Sequence, residues 1–285
     1  MIYYCTLAEA KDELLAELSV DDDKLMRSIW QVSRRIDQIM GGRSGRPFFA
    51  PYAEARKFAL DARHIDSQLN TLLLRGAPPL LSFSSALADT TDVTAVCEGY
   101  PSGDPFFREL RITSSGEWWY SYGCDGDDPV YATITGVWGY HSDYTNAWLA
   151  VDALAAGIAA NVTSLTVADV DGDDPNGLAP RISRGALLKI DSEFLLATAT
   201  ATATNIVTVK RGMLGTTAAA HLIAAPVYIY QVEEPIRRVT ARQAGLMQAR
   251  RGAYQEQTFD GVGVISYPRD LLGELQAVLQ EYQHV

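Results

Sequence analysis

The sequence predicts an α+β protein with a helical bundle core formed by N- and C-terminal helices, antiparallel β ribbons, and an inserted small β-barrel or sandwich. Three observations predict this class. Capped amphipathic segments open the chain, segments with helical spacing close it, and short apolar runs bounded by Gly, Pro and Asp lie between them. We therefore divide the chain into a helical core of residues 1–74 and 233–285, a β-rich ribbon region of residues 75–157, and an all-β module of residues 158–232.

Two helices are predicted near the N-terminus. Thr6 and Glu9 have the spacing of a capping box, in which each side chain accepts a hydrogen bond from the other residue's backbone amide. The second helix begins at Asp21–Asp23, where carboxylates favour the positive end of the helix dipole, and stops at Gly41 and Gly42. Its apolar residues recur at three- and four-residue steps, as on one helix face. They are Leu25, Ile29, Val32, Ile36 and Ile39.

Short strands are predicted to follow, because apolar residues alternate or cluster between turn residues. The predicted strands are residues 53–61, 68–74, 80–88, 92–98, 107–113 and 117–122. Farther along, the spacing of Trp148, Leu149 and Leu154 predicts one or two helical turns between Asp143 and Ala156.

Residues Ile134–His141 form a predicted strand in which Gly136 and Gly139 frame Trp138. The two glycines favour a rigid buried turn, and the segment carries no catalytic chemistry. We predict that Trp138 is a structural anchor where the β region rejoins the helical core, rather than a binding residue.

Five closely spaced strands predict that residues 158–232 form a compact small barrel or sandwich. These strands are Val162–Val167, Ala186–Ile190, Glu193–Ala197, Asn205–Val209 and Pro226–Tyr230. The alternation of Ala and Thr in residues 197–204 favours a strand or the rim of a hairpin over a disordered linker.

The C-terminal part returns to helical patterns. A helix is predicted from Glu233–Pro235, with acidic residues and Pro in its first turn, to Arg250–Gly252, with cations at its negative end. Residues 261–266 are predicted to be extended, and Tyr267–Asp270 precedes a last helix.

Composition limits the classes of function. The net charge of −11 argues against a surface that wraps nucleic acid, although an acidic wall would let DNA slide past it. Cys5, Cys97 and Cys124 lack the spacing of a disulfide framework or zinc site and are predicted to be reduced thiols. The N-terminus has no signal-peptide pattern, and no apolar run approaches the ~18 residues that span a membrane. We therefore expect folding in a cytoplasm and no membrane partner.

The motifs do not favour an enzyme, a metal site or a cofactor. In Asp169–Asn176 the glycine falls at the fourth position and Pro180 at the twelfth, which excludes an EF-hand and favours a polar turn over a looser calcium site. The turn in Arg211–His221 lacks the lysine of a phosphate loop. The histidines lack metal-ligand spacing, and no serine elbow or Cys–His pair occurs. The histidines are His64, His141, His221 and His284.

Arginines on two predicted helices are candidates for contacts between subunits. Arg27, Arg34 and Arg35 lie on the second helix, and Arg238 and Arg242 lie on the helix that follows the module. Arginine suits desolvated ion pairs with an acidic neighbour. The alternative is a solvated helix face.

Three segments carry a resemblance to a known family. As a set, they are similar to segments of the head–tail adaptor (connector) proteins of long-tailed bacteriophages. The segments are Tyr4–Lys11 with the acidic second helix, Ala132–Tyr140, and Tyr267–Leu272. The resemblance covers about residues 1–150 and 233–285. In addition, Leu188–Glu193 together with the Arg211–His221 turn looks like a small β module of phage virion proteins.

The resemblance implies a structural virion protein at the head–tail interface. Such adaptors form a ring, usually a dodecamer, beneath the portal protein. The ring extends the DNA channel without sequence-specific binding and seats a stopper or tail-completion protein. The helical core would form the ring wall, and the C-terminal segment would contact the portal. The candidate portal contacts are Gly263, Val264, Ile265, Tyr267, Pro268, Arg269, Leu271 and Leu272.

Two alternatives remain at this point. The β module by itself suggests a tail or baseplate component. A β-rich carbohydrate-binding protein is the other alternative, in which Trp118, Trp119 and Tyr120 would form a stacking platform.

Overall fold

The described part of the protein is mostly β. The computed structural model describes residues 2–13, 21–41, 46–75, 78–100, 106–114, 118–122, 130–251 and 272–282. Over these residues it has fourteen strands in three antiparallel sheets and four α-helices. The predicted helical bundle core is therefore wrong, because the sheets enclose the larger apolar clusters.

The elements have the following bounds. The helices are α1 (Leu7–Asp12), α2 (Asp22–Ile39), α3 (Glu234–Arg251) and α4 (Leu272–Gln280). The strands are β1 (Tyr52–Ala59), β2 (Ile65–Asp66), β3 (Thr71–Leu73), β4 (Leu80–Ala88), β5 (Thr91–Asp92), β6 (Cys97–Tyr100), β7 (Glu109–Ile112), β8 (Tyr131–Trp138), β9 (Trp148–Ala153), β10 (Ser164–Thr166), β11 (Leu187–Ile190), β12 (Glu193–Ala201), β13 (Ile206–Lys210) and β14 (Pro226–Tyr230).

The chain divides into two compact units. The first unit comprises Met1–Pro47, Trp148–Met213 and Thr217–Val285. The second unit comprises Phe48–Ala147 and Leu214–Thr216. Three residues of the Arg211–His221 turn thus belong to the second unit, although the chain on both sides of them belongs to the first.

The second unit contains two four-stranded sheets, with strand orders β1-β8-β4-β5 and β2-β3-β7-β6. β8 is an interior strand of the first sheet and pairs with β1 on one side and β4 on the other. Its inward residues Ile134 and Trp138 are fully buried in the core of this unit. The predicted strand at 117–122 is wrong over its described part, because Trp119–Tyr122 is a 3₁₀ helix.

The first unit contains a six-stranded sheet with the order β10-β13-β12-β11-β14-β9. All five strands predicted in residues 158–232 are confirmed, and β12 extends through the Ala/Thr run to Ala201. The sheet is not a closed barrel, since its edge strands approach only at the isolated bridge between Leu154 and Val167. The helical turns predicted near Trp148 are wrong, because β9 pairs there with β14.

The helices also belong to the first unit, where α1, α2 and α3 pack on one another through a small apolar cluster. Thr6 and Glu9 form the predicted capping box of α1, with N···O distances of 3.3 and 2.6 Å. However, α1 buries only Leu7 and Ala10. Capping residues and an apolar helix face predict that a helix forms. They do not predict how much of the hydrophobic core the helix supplies. None of the described helices has the length and apolar character that a membrane span requires.

Candidate functional site

Four charged side chains converge in the first unit. Asp191 lies in the turn between β11 and β12, Glu193 begins β12, Arg211 follows β13, and His221 precedes β14. Glu193 and His221 have side chains 1% exposed, Arg211 is 6% exposed, and Asp191 is 60% exposed. We call these four residues the charge cluster.

Every N–H group of the Arg211 guanidinium donates a hydrogen bond. Its Nε and Nη2 donate to the two carboxylate oxygens of Glu193, each at 2.7 Å. Nη1 donates to the backbone carbonyls of Ala159 and Val162, and Nη2 donates also to that of Ala219. A guanidinium has five N–H donors, and all five have an acceptor here. The side chain therefore joins two separate backbone segments, the turn at Ala159–Val162 and the chain at Ala219, to one carboxylate.

Both carboxylate oxygens of Glu193 also have hydrogen-bond partners. Besides Arg211, its oxygens accept from the backbone amides of Gly212 and Ala219 and face Nε2 of His221 at 2.9 Å. Burial alone would raise the pKa of Glu193. The hydrogen bonds from Arg211, Ala219, Gly212 and His221 outweigh burial and lower that pKa to about 2. Glu193 is thus an ionised carboxylate inside the protein.

His221 lies between two carboxylates. Its Nδ1 is 2.7 Å from Asp191, and its Nε2 is 2.9 Å from Glu193. An ionised carboxylate only accepts hydrogen bonds, so both contacts form together when both ring nitrogens carry protons. His221 thus links Asp191 to Glu193, and through Glu193 to Arg211.

This arrangement suits a cross-link rather than catalysis. Both oxygens of Glu193 are occupied and the side chain is buried, which leaves no free lone pair facing solvent for a general base. The cluster instead ties the turns around Ala159, Gly212 and Ala219 to the start of β12. The sequence-based predictions include the turn and His221, but not the pairing of Glu193 with Arg211.

The subunit-contact candidates lie on helix surfaces. Arg27, Arg35 and Arg238 are exposed, and Arg34 is half-buried. Arg242 is exposed but pairs within the chain, at 2.6 Å from Glu274 and 3.6 Å from Glu13. Arg27 on α2 also lines a groove that contains aromatic and cationic groups. The other lining residues are Tyr3, Asp23, Met26, Trp30 and Arg184.

Most portal-contact candidates fall outside the described residues. These are Gly263, Val264, Ile265, Tyr267, Pro268, Arg269 and Leu271. Leu272 is the first residue of α4, where only its backbone is described.

Trp138 lies at the end of β8 inside the second unit. Its Nε1 donates to the backbone carbonyl of Glu54 at 3.0 Å, and the guanidinium of Arg56 lies 4.0 Å from its ring centroid. The ring of Phe58 packs at 5.8 Å. These contacts are all with β1, so the indole anchors one strand of a sheet to the next.

The proposed aromatic platform for carbohydrate is wrong for Trp119. Its side chain is fully buried, and its Nε1 donates to the backbone carbonyl of Leu110 at 2.9 Å. A buried ring has no free face for a sugar. Trp118 is 44% exposed, and the side chain of Tyr120 lies outside the described residues.

The remaining motifs have local partners. Asp169 accepts from the amides of Asp171 and Gly172, and its carboxylate lies 3.5 Å from Arg181. Burial raises the pKa of the Cys5 thiol well above its ordinary value. Across the described residues, no group of three or more His, Cys, Asp or Glu side chains is placed to hold a metal ion.

Comparisons with known proteins give no match. No protein-family model matches the chain, and neither the search of curated proteins nor that of solved structures returns a relative.

Proposed function

We propose that the protein is a structural virion protein, a head–tail adaptor that joins a phage capsid to its tail. Copies of the chain would form a ring beneath the portal protein, extend the DNA channel and seat a stopper or tail-completion protein. The proposal rests on the resemblance of the segments near both chain ends to phage adaptors. It does not require the helical ring wall that the resemblance implied.

One structural observation supports this assignment above others. The N-terminal helices α1 and α2 pack against α3, so segments from both ends of the chain form one surface of the first unit. Leu25 and Ile29 of α2 share a cluster with Ala241 and Ala244 of α3. An adaptor needs such a surface because its terminal segments meet the neighbouring proteins.

Charge gives a second argument. Arg27 and Arg238 are exposed on α2 and α3 in a chain whose net charge is −11. Cations on an acidic protein attract acidic partners and favour one orientation of approach. The overall acidic balance suits the lining of a channel through which DNA slides.

The test mixes the purified full-length chain with its portal protein. We expect co-sedimentation and, in negative-stain images, added density beneath the portal ring. The variant Arg27→Glu/Arg238→Glu should bind more weakly, whereas Lys57→Glu, an exposed charge reversal on β1, should bind as the wild type does. A wild-type chain that stays monomeric and does not bind the portal would overturn the proposal.

The six-stranded sheet favours one alternative, a tail or baseplate component. The same protein incubated with portal-free tails distinguishes the two. Binding to tails without binding to portals would favour the alternative.

A further inference from the structure

One end of the six-stranded sheet exposes an apolar, uncharged surface. It consists of the exposed residues in 155–160 and 219–224, which we call the neutral end. Leu222 is 81% exposed and Ile223 is 65% exposed, the two most exposed large apolar side chains among the described residues. Exposed small residues surround them. These include Ala155, Ala156, Ala159 and Ala160.

The sequence keeps charge away from this surface. Residues 153–168 and 212–232 contain no Asp, Glu, Lys or Arg, although charged residues make up 21% of the chain. Three charged side chains of the cluster that contacts the neutral end are at most 6% exposed. The fourth, Asp191, is exposed and paired with His221.

The neutral end is also held in one conformation. The backbones of Ile158 and His221 exchange two hydrogen bonds of 2.9 Å, and the amide of Ala224 donates to Leu154 at 2.8 Å. Arg211 binds the carbonyls of Ala159 and Ala219 from within the protein. A hydrogen-bonded backbone loses little conformational entropy when it binds, which favours association through Leu222 and Ile223.

We propose that the neutral end is a contact surface between copies of this chain. Each copy carries a net charge of −11, so two copies repel each other through most of their surfaces. Apart from Asp191, which is paired with His221, the surface brings no like charges together, and burying Leu222 and Ile223 removes exposed apolar area from water. This inference rests on the proposed function in that it supplies one contact of the adaptor ring.

Salt dependence and mutation test the contact together. Sedimentation velocity of the full chain at about 50 and about 500 mM salt should show association that persists or strengthens, because salt screens the repulsion between acidic copies. Leu222→Glu/Ile223→Glu should weaken association roughly tenfold or more. Its thermal midpoint should stay near that of the wild type, since both side chains project into solvent. The matched control is Leu178→Glu, at a residue 57% exposed outside the neutral end, which should associate normally.

Unchanged association of the Leu222→Glu/Ile223→Glu variant would overturn the inference, and so would association that dissolves at high salt. The adaptor proposal is judged separately by portal binding. A wild-type chain that binds its portal while the double variant assembles normally overturns only the neutral-end contact. A chain that self-associates through Leu222 and Ile223 but ignores the portal overturns only the adaptor assignment.

Discussion

Arg211 and Glu193 meet face to face, with two parallel hydrogen bonds of 2.7 Å between side chains that are 6% and 1% exposed. A bidentate pair of this kind fixes the relative orientation of two groups as well as their distance. Here it fixes the start of β12 against the turn that follows β13. The first unit therefore depends on a buried ion pair for the shape of three of its turns.

Replacing Arg211 with Lys keeps the charge but removes the planar fork, so several carbonyls and one carboxylate oxygen lose a donor. We expect Arg211→Lys to lower the free energy of unfolding by about 3 kcal/mol, measured by urea denaturation. Arg35→Lys, at an exposed position on α2, should change it by less than about 0.5 kcal/mol. Equal effects of the two substitutions would contradict a structural role for the cluster.

Stability should fall in acid through Glu193. Its pKa is lowered from 4.5 to about 2 in the folded protein, so the unfolded chain takes up this proton first as pH decreases. The stabilisation is complete above about pH 4.5 and is lost as pH falls toward about 2, and it amounts to roughly 3 kcal/mol. Urea denaturation at a series of pH values should show a shallower acid dependence for Glu193→Gln than for the wild type. Parallel pH profiles would argue that other carboxyls are responsible.

Gly215 has no space for a Cβ atom, whereas Gly177 has space for one. Both have a positive φ, +83° and +79°, but a Cβ on Gly215 would lie 1.9 Å from the carbonyl oxygen of Ala53, while a Cβ on Gly177 meets nothing within 4 Å. Gly177→Ala should cost about 1 kcal/mol from backbone strain alone, and Gly215→Ala about 3 kcal/mol or more. Scanning calorimetry of both variants gives the comparison. Similar losses would mean that the contact with Ala53 relaxes at little cost.

Trp138→Phe should destabilise the second unit by about 2 kcal/mol. The substitution removes the hydrogen bond to Glu54 and weakens the contact with Arg56, and it leaves unfilled volume in a packed core. The control is Trp118→Phe, the same change at a side chain 44% exposed, which should lower the thermal midpoint little. A Trp138→Phe variant as stable as the control would show that the indole nitrogen and ring area contribute little.

Local signals in the sequence were sufficient for many elements. The five strands of residues 158–232 and the capping box at Thr6 depend on neighbouring residues, and both predictions are confirmed. β9 was missed because its apolar spacing fits a helix as well as a strand. Its partner β14 lies more than seventy positions farther along the chain, so no nearby residue indicates the pairing.

The sequence carries a signal of the charge cluster. Glu193 is followed by apolar residues of a predicted strand, and Arg211 borders a long stretch without charged residues. A charge isolated in apolar surroundings requires a partner when it is buried. Choosing Arg211 as that partner needs the pairing of β12 with β13, which brings the two residues together across the hairpin. The share of the hydrophobic core that the helices supply was overestimated for a related reason. Helix caps can be recognised from neighbouring residues in the sequence, whereas the pairing of distant strands cannot.

The amide of Ala53 on β1 donates to the carbonyl of Leu214 at 2.8 Å, and this bond has a consequence for synthesis of the chain. Translation delivers Phe48–Ala147 well before Leu214, with a delay on the order of ten seconds at ordinary rates. During that interval the outer edge of β1 lacks this partner, and open strand edges promote aggregation. A chain that ended before residue 214 would lack this partner for β1 permanently, and we expect it to aggregate more readily than the full chain, as measured by light scattering after refolding.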